Sequence, residues 1–263
     1  MAADFVDSLP IWAVFLLFAI IALLFYEGGF RIGRWWQGRT PEEKEGPTGM
    51  LVGSILALMA FLLAITMGMA ADRFDARRGA VLAEANSIGT TFLRTDFLPE
   101  PAASQSRELI REYVPLRIVE GELADEELAT ILVRSEEILT ELWSIAEVQA
   151  NETPDSEMLA LYITSLNETI DANTTRVTAG VYARVPETIA LLLFFGSVLT
   201  LGMVGFSAGL TKRRSPLTAV VLVVVLGAVL ALIIDIDRPT GGTLTTGQQP
   251  LIDLERQIGP PSP

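Results

Sequence analysis

Residues 50–101 decide the fold, and they read "MLVGSILALMAFLLAITMGMAADRFDARRGAVLAEANSIGTTFLRTDFLPEP". The run over 50–71 carries no charged residue, and a helix needs about 20 apolar residues to cross the hydrocarbon of a bilayer. The stretch beyond it has no proline before Pro99, and it carries Arg, Glu, Asn and Thr at helical spacing for roughly five or six turns. We therefore predict one long helix that crosses a membrane and continues into water.

Four windows of the chain are long and apolar enough to span a bilayer: Leu9–Tyr26, Met50–Ala71, Ile189–Leu210 and Leu217–Ile234. The residues before the first window, "MAADFVDS", are acidic, whereas a secretory signal begins with positive charge. The sequence therefore predicts an all-α integral membrane protein with four transmembrane helices, multi-pass in the cell (inner) membrane. Basic residues lie near both ends of the windows, so charge does not decide the orientation.

The composition argues against catalysis. The chain has no Cys and no His, which excludes thiolate chemistry, a Ser-His-Asp triad and His- or Cys-ligated metals. Its paired carboxylates lie in charge runs such as "SEEILTEL", which are typical of solvated helix faces. We predict no enzyme, no cofactor and no metal. The net charge of −13 also argues against a nucleic-acid partner, which would need a basic surface.

The chain divides into four parts: the first two spans and their basic loop over 1–71, an acidic helical aqueous domain over 72–186, the last two spans over 187–236, and a polar tail over 237–263. The aqueous domain holds 21 acidic and 10 basic residues. Within it we predict helices over Ala102–Glu120 and Asp125–Ala150, and a third that begins at Thr153 as N-cap and continues through Pro186 into the third span. In the tail, "QPLIDLERQI" predicts a short helix with Leu251, Leu254 and Ile258 on one side.

The long second helix carries two stripes. On a helical wheel one stripe is polar and the other is nearly apolar. The polar stripe consists of Thr66, Arg73, Arg77, Glu84 and Thr91, and the apolar stripe of Phe74, Val81, Ala85, Ile88 and Phe92. Two interpretations remain open: an amphipathic helix of an ordinary bundle, or copies of the helix around an axis, where rings of Arg would concentrate anions at a pore mouth.

Other residues are candidates for interfacial or ionic roles. Glu27 precedes Gly-Gly, where it either marks the end of the first helix or is a functional ionisable group. Trp35 and Trp36 predict a membrane-interface anchor. Asp235 and Asp237, at the end of the last span, predict a salt bridge with Arg238 or with the Arg73 and Arg77 pair, or an ion site.

Several separated blocks, "RFDARRGAVLAEANSIGTTFLRTDFLPEP", "IREYVPLRI", "ARVPETIALLL" and "IIDIDRPTGGTLTTGQQPLIDL", resemble the bacterial bestrophin-like domain family over about residues 10 to 256. The resemblance implies four membrane helices, a helical aqueous domain and a central pore lined by the second span, as in the bestrophins, which are pentameric anion channels. Two features depart from the bestrophins. Phe61, Ile65, Met67 and Met69 replace a phenylalanine-rich neck, and only Asp235 and Asp237 stand where bestrophins carry a calcium-binding acidic run.

The leading hypothesis is an oligomeric channel permeable to anions, lined by the second span and its extension. Its pore-lining or gate candidates are Phe61, Ile65, Thr66, Met69, Arg73, Arg77 and Glu84. The expected partners are membrane lipids, further copies of the chain and small anions. The alternative is a non-conducting membrane scaffold or sensor that acts through protein contacts of its helical domain, and a lipid-modifying enzyme is disfavoured because no nucleophile–base pair is found.

Overall fold

The computed structural model describes residues 9–39, 45–119, 124–182, 184–212, 214–238 and 242–260. Over these ranges the chain is helical and contains no strand. The helices are α1 (Ile11–Arg39), α2 (Glu45–Arg94), α3 (Ala102–Arg117), α4 (Asp125–Glu152), α5 (Glu157–Val177), α6 (Glu187–Leu210), α7 (Pro216–Asp237) and α8 (Gln249–Ile258). The all-α prediction is confirmed.

Four helices are long and apolar enough to cross a membrane: Ile11–Arg39, Pro47–Phe97, Glu187–Leu210 and Pro216–Asp237. They contain in full three of the four windows that hydropathy selects, and the first window from Ile11 onward. The second continues well beyond its apolar part, as predicted, and a short 3-10 turn over Thr95–Phe97 follows α2. The chain is therefore an integral membrane protein.

The chain forms two compact units, and the first contains α1, the apolar part of α2, α6 and α7. It comprises Met1–Asp72, Arg184–Arg238 and Gly242–Leu244. In this unit α1 packs along α6 and α7. The interpretation that Gly-Gly after Glu27 ends the first helix is wrong, because α1 continues through Gly28 and Gly29 to Arg39.

Four glycines bring α1 and α6 into backbone contact. A Cβ added at Gly29 would lie 2.0 Å from the carbonyl oxygen of Gly202, and one added at Gly205 would lie 2.0 Å from that of Tyr26. One turn further along, a Cβ added at Gly33 would lie 2.2 Å from the carbonyl oxygen of Phe206, and one added at Gly209 would lie 2.4 Å from that of Phe30. Gly29 and Gly33 form one G-x-x-x-G motif, and Gly205 and Gly209 form another, so small residues allow close approach on both helices.

The second unit comprises Arg73–Ala183, Pro239–Gly241 and Thr245–Pro263. The later part of α2, together with α3, α4, α5 and α8, surrounds one apolar core. Each helix contributes fully buried side chains, among them Ile88, Val114, Ile138, Leu166 and Leu251. The predicted tail helix is confirmed, since Leu251, Leu254 and Ile258 are all buried on one side of α8.

Three predicted helix ends are wrong. Thr153 does not begin α5. It follows the end of α4, where its N–H donates to the carbonyl of Gln149 at 2.9 Å, and the N-cap of α5 is Ser156, whose Oγ accepts from the N–H of Leu159 at 3.2 Å. Helix α3 ends at Arg117 rather than at residue 120, which lies outside the described ranges. Helix α5 ends before a π-helical turn over Thr178–Tyr182, and α6 starts anew after Pro186, whose ring is incompatible with a helix interior.

Candidate functional site

The membrane part of α2 has one buried face and one exposed face. Its buried side chains are Val52, Met59, Leu63, Thr66 and Ala70. Met59 packs over α6, where a Cβ added at Gly196 would lie 2.9 Å from the Met59 sulfur. Six of the eleven exposed residues between 50 and 70 are small, namely Gly53, Ser54, Ala57, Ala60, Ala64 and Gly68, and all but Ser54 lie within about 80° of one another around the helix. A bilayer-length helix therefore presents a face with little side-chain volume.

The other three membrane helices expose bulky side chains instead. Their exposed faces carry Leu16, Leu17, Ile20, Leu24 and Phe25 on α1, Leu191, Leu192, Phe195 and Leu199 on α6, and Leu217, Val220, Val221, Val224 and Val225 on α7. Large apolar side chains of this kind suit contact with lipid tails. The small face of α2 differs from all of them.

The bulky exposed side chains on this part of α2 are Met50, Leu51, Leu58, Phe61 and Ile65, and two of them, Phe61 and Ile65, are predicted to line a path. Phe61 is 62% exposed. It follows Ala57 by four residues, so its side chain lies about 40° from that of Ala57 around the helix axis. Ile65 is 46% exposed, and Met69 is half-buried. These three positions remain compatible with the predicted lining of a path.

Thr66 lies on the buried face of α2, unlike Phe61 and Ile65. Its side chain is 3% exposed, and its hydroxyl donates to the carbonyl of Leu62 within the same helix at 2.9 Å. The prediction that Thr66 lines the path is therefore wrong for this structure, because the residue lies on the face that packs inside its own chain.

The polar stripe of α2 turns inward within the second unit. Arg77 is 4% exposed and Glu84 is fully buried, whereas Arg73 is half-buried. Thr91 is also buried, and its hydroxyl lies 2.9 Å from that of Thr169 on α5. The prediction that Arg77 and Glu84 face a pore is therefore wrong. The wheel groups these residues correctly on one face, but that face packs against the rest of the unit.

Glu84 is the centre of a buried ion-pair cluster. Its Oε1 accepts from Arg117 Nε at 2.8 Å and from the hydroxyl of Tyr113 at 3.2 Å, and its Oε2 accepts from Arg176 Nη1 at 2.5 Å. Arg176 also donates to the carbonyl of Arg117 at 2.7 Å and to Gln248 Oε1 at 3.0 Å. One carboxylate thus joins α2, α3 and α5, and Arg176 extends the cluster to the residue before α8.

The cluster pairs one carboxylate with two guanidinium groups, so these three side chains carry one surplus positive charge. A buried carboxylate is costly unless it is paired and hydrogen-bonded, and Glu84 has two guanidinium partners and one hydroxyl. Burial, followed by the adjacent Glu84 carboxylate, raises the pKa of Tyr113 well above its usual range. Tyr113 therefore stays neutral and serves as a donor.

Sequence reasoning missed Tyr113, Arg117, Arg176 and Gln248. One signal was available, since "YVPLR" places Tyr113 and Arg117 four residues apart on a single helix face. That face also contains buried Ile110 and Val114, so a polar pair beside them needed an internal partner.

The carboxylates at the end of α7 are held by groups of the first unit. Asp235 is 3% exposed and accepts from the N–H of Thr243 at 2.8 Å and from the Thr243 hydroxyl. Asp237 accepts from the N–H of Val185 at 3.0 and 3.1 Å, and Arg238 donates to the carbonyl of Leu9 at 2.8 Å. These contacts fasten chain segments to the end of α7, and among the described residues no group of three or more acidic side chains is placed to hold a metal ion.

The sequence matches the model of the Bestrophin-like domain over residues 16–251, which is most of the chain. The chain belongs to the Bestrophin-like domain family. No curated protein matches it.

Solved structures support the fold of this Bestrophin-like chain. One variant of a bacterial bestrophin homologue from Klebsiella pneumoniae is 15% identical, with a TM-score of 0.66 over 94% of this chain and 97% of that chain. A second variant is 16% identical, with a TM-score of 0.67 over 94% and 95% of the two chains. At these identities the likeness establishes the architecture alone.

Glu27 and the tryptophan pair of the Bestrophin-like chain lie on α1. Glu27 accepts from Arg31 Nε at 3.1 Å and from Arg214 Nη2, beyond α6, at 2.6 Å. Trp35 and Trp36 are both exposed and helical, with ring centroids 6.4 Å apart. Glu27 therefore has an ion-pairing role in this structure, and the anchor role of the tryptophans stays a prediction.

Proposed function

We propose that this Bestrophin-like chain assembles into an oligomeric channel permeable to anions, with the path along the small exposed face of α2. The proposal takes residues 1–71 as the first two transmembrane helices with their basic connecting loop and 187–236 as the last two. Residues 72–186 form the acidic helical domain in water, and 237–263 form a polar tail. The observation that carries it is the contrast between the small exposed face of α2 and the bulky exposed faces of the other three spans.

Helices that surround an axis are crowded on the side that faces it, so small residues there leave room for a hydrated ion. Family membership supports the same arrangement. The exposed Trp143 on the second unit, with exposed Val133 and Val148 on the same helix, supports contact between copies, because aromatic residues are enriched in interfaces.

Phe61 is the proposed constriction. It is the largest side chain beside the small face, and an apolar ring at a narrow point opposes ion passage by excluding water. Ile65, one turn further along, would extend the apolar segment, and Met69 would follow it.

Fewer positive charges are available to select anions than the sequence predicts. With Arg77 buried, Arg73 and Arg78 remain as cations that an anion could meet. A second candidate function is cation permeation, and it is favoured by Asp72 and Asp75, which are both exposed on α2. The two candidate functions differ in whether the path conducts anions or cations.

Flux through proteoliposomes of the purified full-length protein tests the path. We expect Phe61→Ala to raise chloride flux severalfold over the unaltered chain, because the constriction loses its ring. Phe195→Ala is the matched control, since Phe195 is a similarly exposed phenylalanine on α6, at 57% against 62%. Equal flux in all three proteins would remove Phe61 from the path. An absence of flux from folded, oligomeric protein would favour the non-conducting scaffold.

Reversal potentials in a potassium chloride gradient test the sign of selectivity. We expect Arg73→Glu to shift the reversal potential toward cation preference, and Asp75→Asn to shift it toward anion preference. A wild-type potential on the cation side, lost in Asp75→Asn and unaffected by Arg73→Glu, would replace the anion proposal with the cation one.

A further inference from the structure

Basic and aromatic side chains meet where α1 ends and the loop after α6 begins, both within the first unit. We call this region the basic corner, and it comprises Arg31, Arg34, Trp35, Trp36, Arg39, Lys212 and Arg214. All seven are exposed. None of them has a role in the proposed ion path, so the corner needs its own explanation.

Backbone packing brings the two segments together. A Cβ added at Gly209 would lie 2.4 Å from the carbonyl oxygen of Phe30 and 2.8 Å from the backbone nitrogen of Arg34. The chain turns immediately afterwards, with Lys212 in the left-handed region at φ 57°. Arg214 then reaches back to Glu27 and places its guanidinium 5.5 Å from the ring centroid of Phe30. The cations of the loop therefore lie beside those of α1.

Tryptophan spacing sets the depth of the corner in the membrane. Trp12 and Trp35 are both exposed on α1, and 23 helical residues separate them, which is about 35 Å. The hydrocarbon core of a bilayer is about 30 Å thick, and tryptophan is enriched at its two boundaries. With Trp12 at one boundary, Trp35 reaches the headgroups of the other, and Arg31, Arg34 and Arg214 lie at the level of the phosphates.

The corner is positive in an otherwise acidic protein. Over residues 27–46 and 211–215 the sequence holds seven basic and four acidic residues, against a net charge of −13 for the whole chain. Guanidinium groups bind phosphate oxygens through paired hydrogen bonds, and Arg39 is already oriented by stacking over Trp35 at 3.9 Å. The excess of positive charge attracts anions to the basic corner, and its guanidinium groups have the geometry to bind a phosphate there.

We propose that the basic corner binds the headgroup of an anionic phospholipid. Arg34, Arg39 and Arg214 take the phosphate, and the rings of Trp35 and Trp36 cover the glycerol and upper acyl region. Glu27 orients Arg214 by accepting from its Nη2 and also accepts from Arg31, so one carboxylate offsets only part of the charge of the two guanidinium groups. This inference is independent of whether the protein conducts ions.

Native mass spectrometry of the full-length protein in detergent, with equimolar phosphatidylglycerol and phosphatidylcholine, tests the proposal. We expect wild-type protein to retain phosphatidylglycerol preferentially. The variant Arg34→Gln/Arg39→Gln should lose about 25-fold in affinity, because each basic residue near a bilayer surface contributes about fivefold. These two substitutions leave the Glu27 ion pairs intact. The control is Arg107→Gln/Arg256→Gln, which removes two partly exposed arginines of the second unit.

The outcomes separate the proposal from its competitors. Selective loss of phosphatidylglycerol in the corner variant, with the control unchanged, supports it. Equal retention of the two lipids by wild-type protein overturns it, as does an equal loss in the corner and control variants. Displacement of phosphatidylglycerol by millimolar inorganic phosphate would assign the corner to free anions and would also overturn it. Unchanged melting temperatures of the lipid-free variants show that any loss is local.

Discussion

Replacement of Glu84 by glutamine tests the buried cluster directly. The substitution keeps the size of the side chain and removes its charge. Arg117 and Arg176, whose side chains are only 5% and 12% exposed, then remain in the interior without a carboxylate partner. Breaking a buried ion pair by removing one partner costs about 3–5 kcal/mol.

That loss is large against the stability of a typical domain, about 5–15 kcal/mol. For a unit of this size it corresponds to a fall in melting temperature of roughly 10–20 °C. The assay is thermal unfolding of the detergent-solubilised full-length protein, followed by circular dichroism. The matched control is Glu112→Gln, because Glu112 also pairs with an arginine, Arg134, at 2.7 Å, but both side chains are more than one third exposed. Exposed pairs contribute about 0–1 kcal/mol, so the control should melt within a few degrees of wild type.

If Glu84→Gln melts no lower than Glu112→Gln and yet changes the reversal potential, Glu84 faces the ion path. The polar stripe predicted from the sequence would then be restored. A large fall in melting temperature with an unchanged reversal potential in the surviving protein assigns Glu84 to the interior of the second unit.

Two further predictions concern packing and pH. Gly205→Ala should lower the free energy of unfolding by about 1–3 kcal/mol, because its Cβ would lie 2.0 Å from a backbone oxygen. Gly28→Ala, with nothing within 4 Å of its Cβ, should not lower the melting temperature in the same assay, because alanine favours a helix interior over glycine. Equal effects would contradict the close contact. The raised pKa of Tyr113 keeps it protonated in the folded state while the unfolded chain ionises, so stability should fall as pH rises above about 10. Melting from pH 7 to 11 should show a shallower decline for Tyr113→Phe, and an identical decline would contradict this assignment.

The membrane helices could be predicted because their signal is additive. Each apolar residue contributes to transfer into hydrocarbon, so a run such as 217–234 is recognisable without knowledge of its neighbours. The long extension of α2 was predictable for a related reason, since its periodicity continues without a breaker until Pro99.

Features that depend on distant partners were not predictable. Gly28 and Gly29 resemble a helix end in isolation, and only the contact of Gly29 with α6, more than 170 residues away, explains why the helix continues. Thr153 and Ser156 are both good N-caps, and the local cues conflict, because Ser caps somewhat better than Thr whereas Pro154 suits the first position of a helix capped by Thr153. The structure starts α5 at Glu157, which brings Leu159 into the core.

The candidate site likewise depends on partners that are distant in the sequence. Periodicity correctly groups Arg77 and Glu84 on one face of α2, but it does not specify what that face contacts. Arg117 and Arg176, the partners that bury Glu84, lie on two other helices. The small exposed face of α2 was present in the sequence as Gly53, Ala57, Ala64 and Gly68, and its meaning depends on knowing that these side chains are not used for packing within the chain.

The reciprocal glycine contacts between α1 and α6 have a mechanical consequence. Sliding one helix along the other by a single residue would bring Phe30, Phe206 or another side chain against a backbone that admits only hydrogen atoms. The register of the pair is therefore fixed, and the two helices can move only as one body. Any motion within the first unit must then use its other interfaces, and Met59 against Gly196 is one where a flexible thioether can adapt.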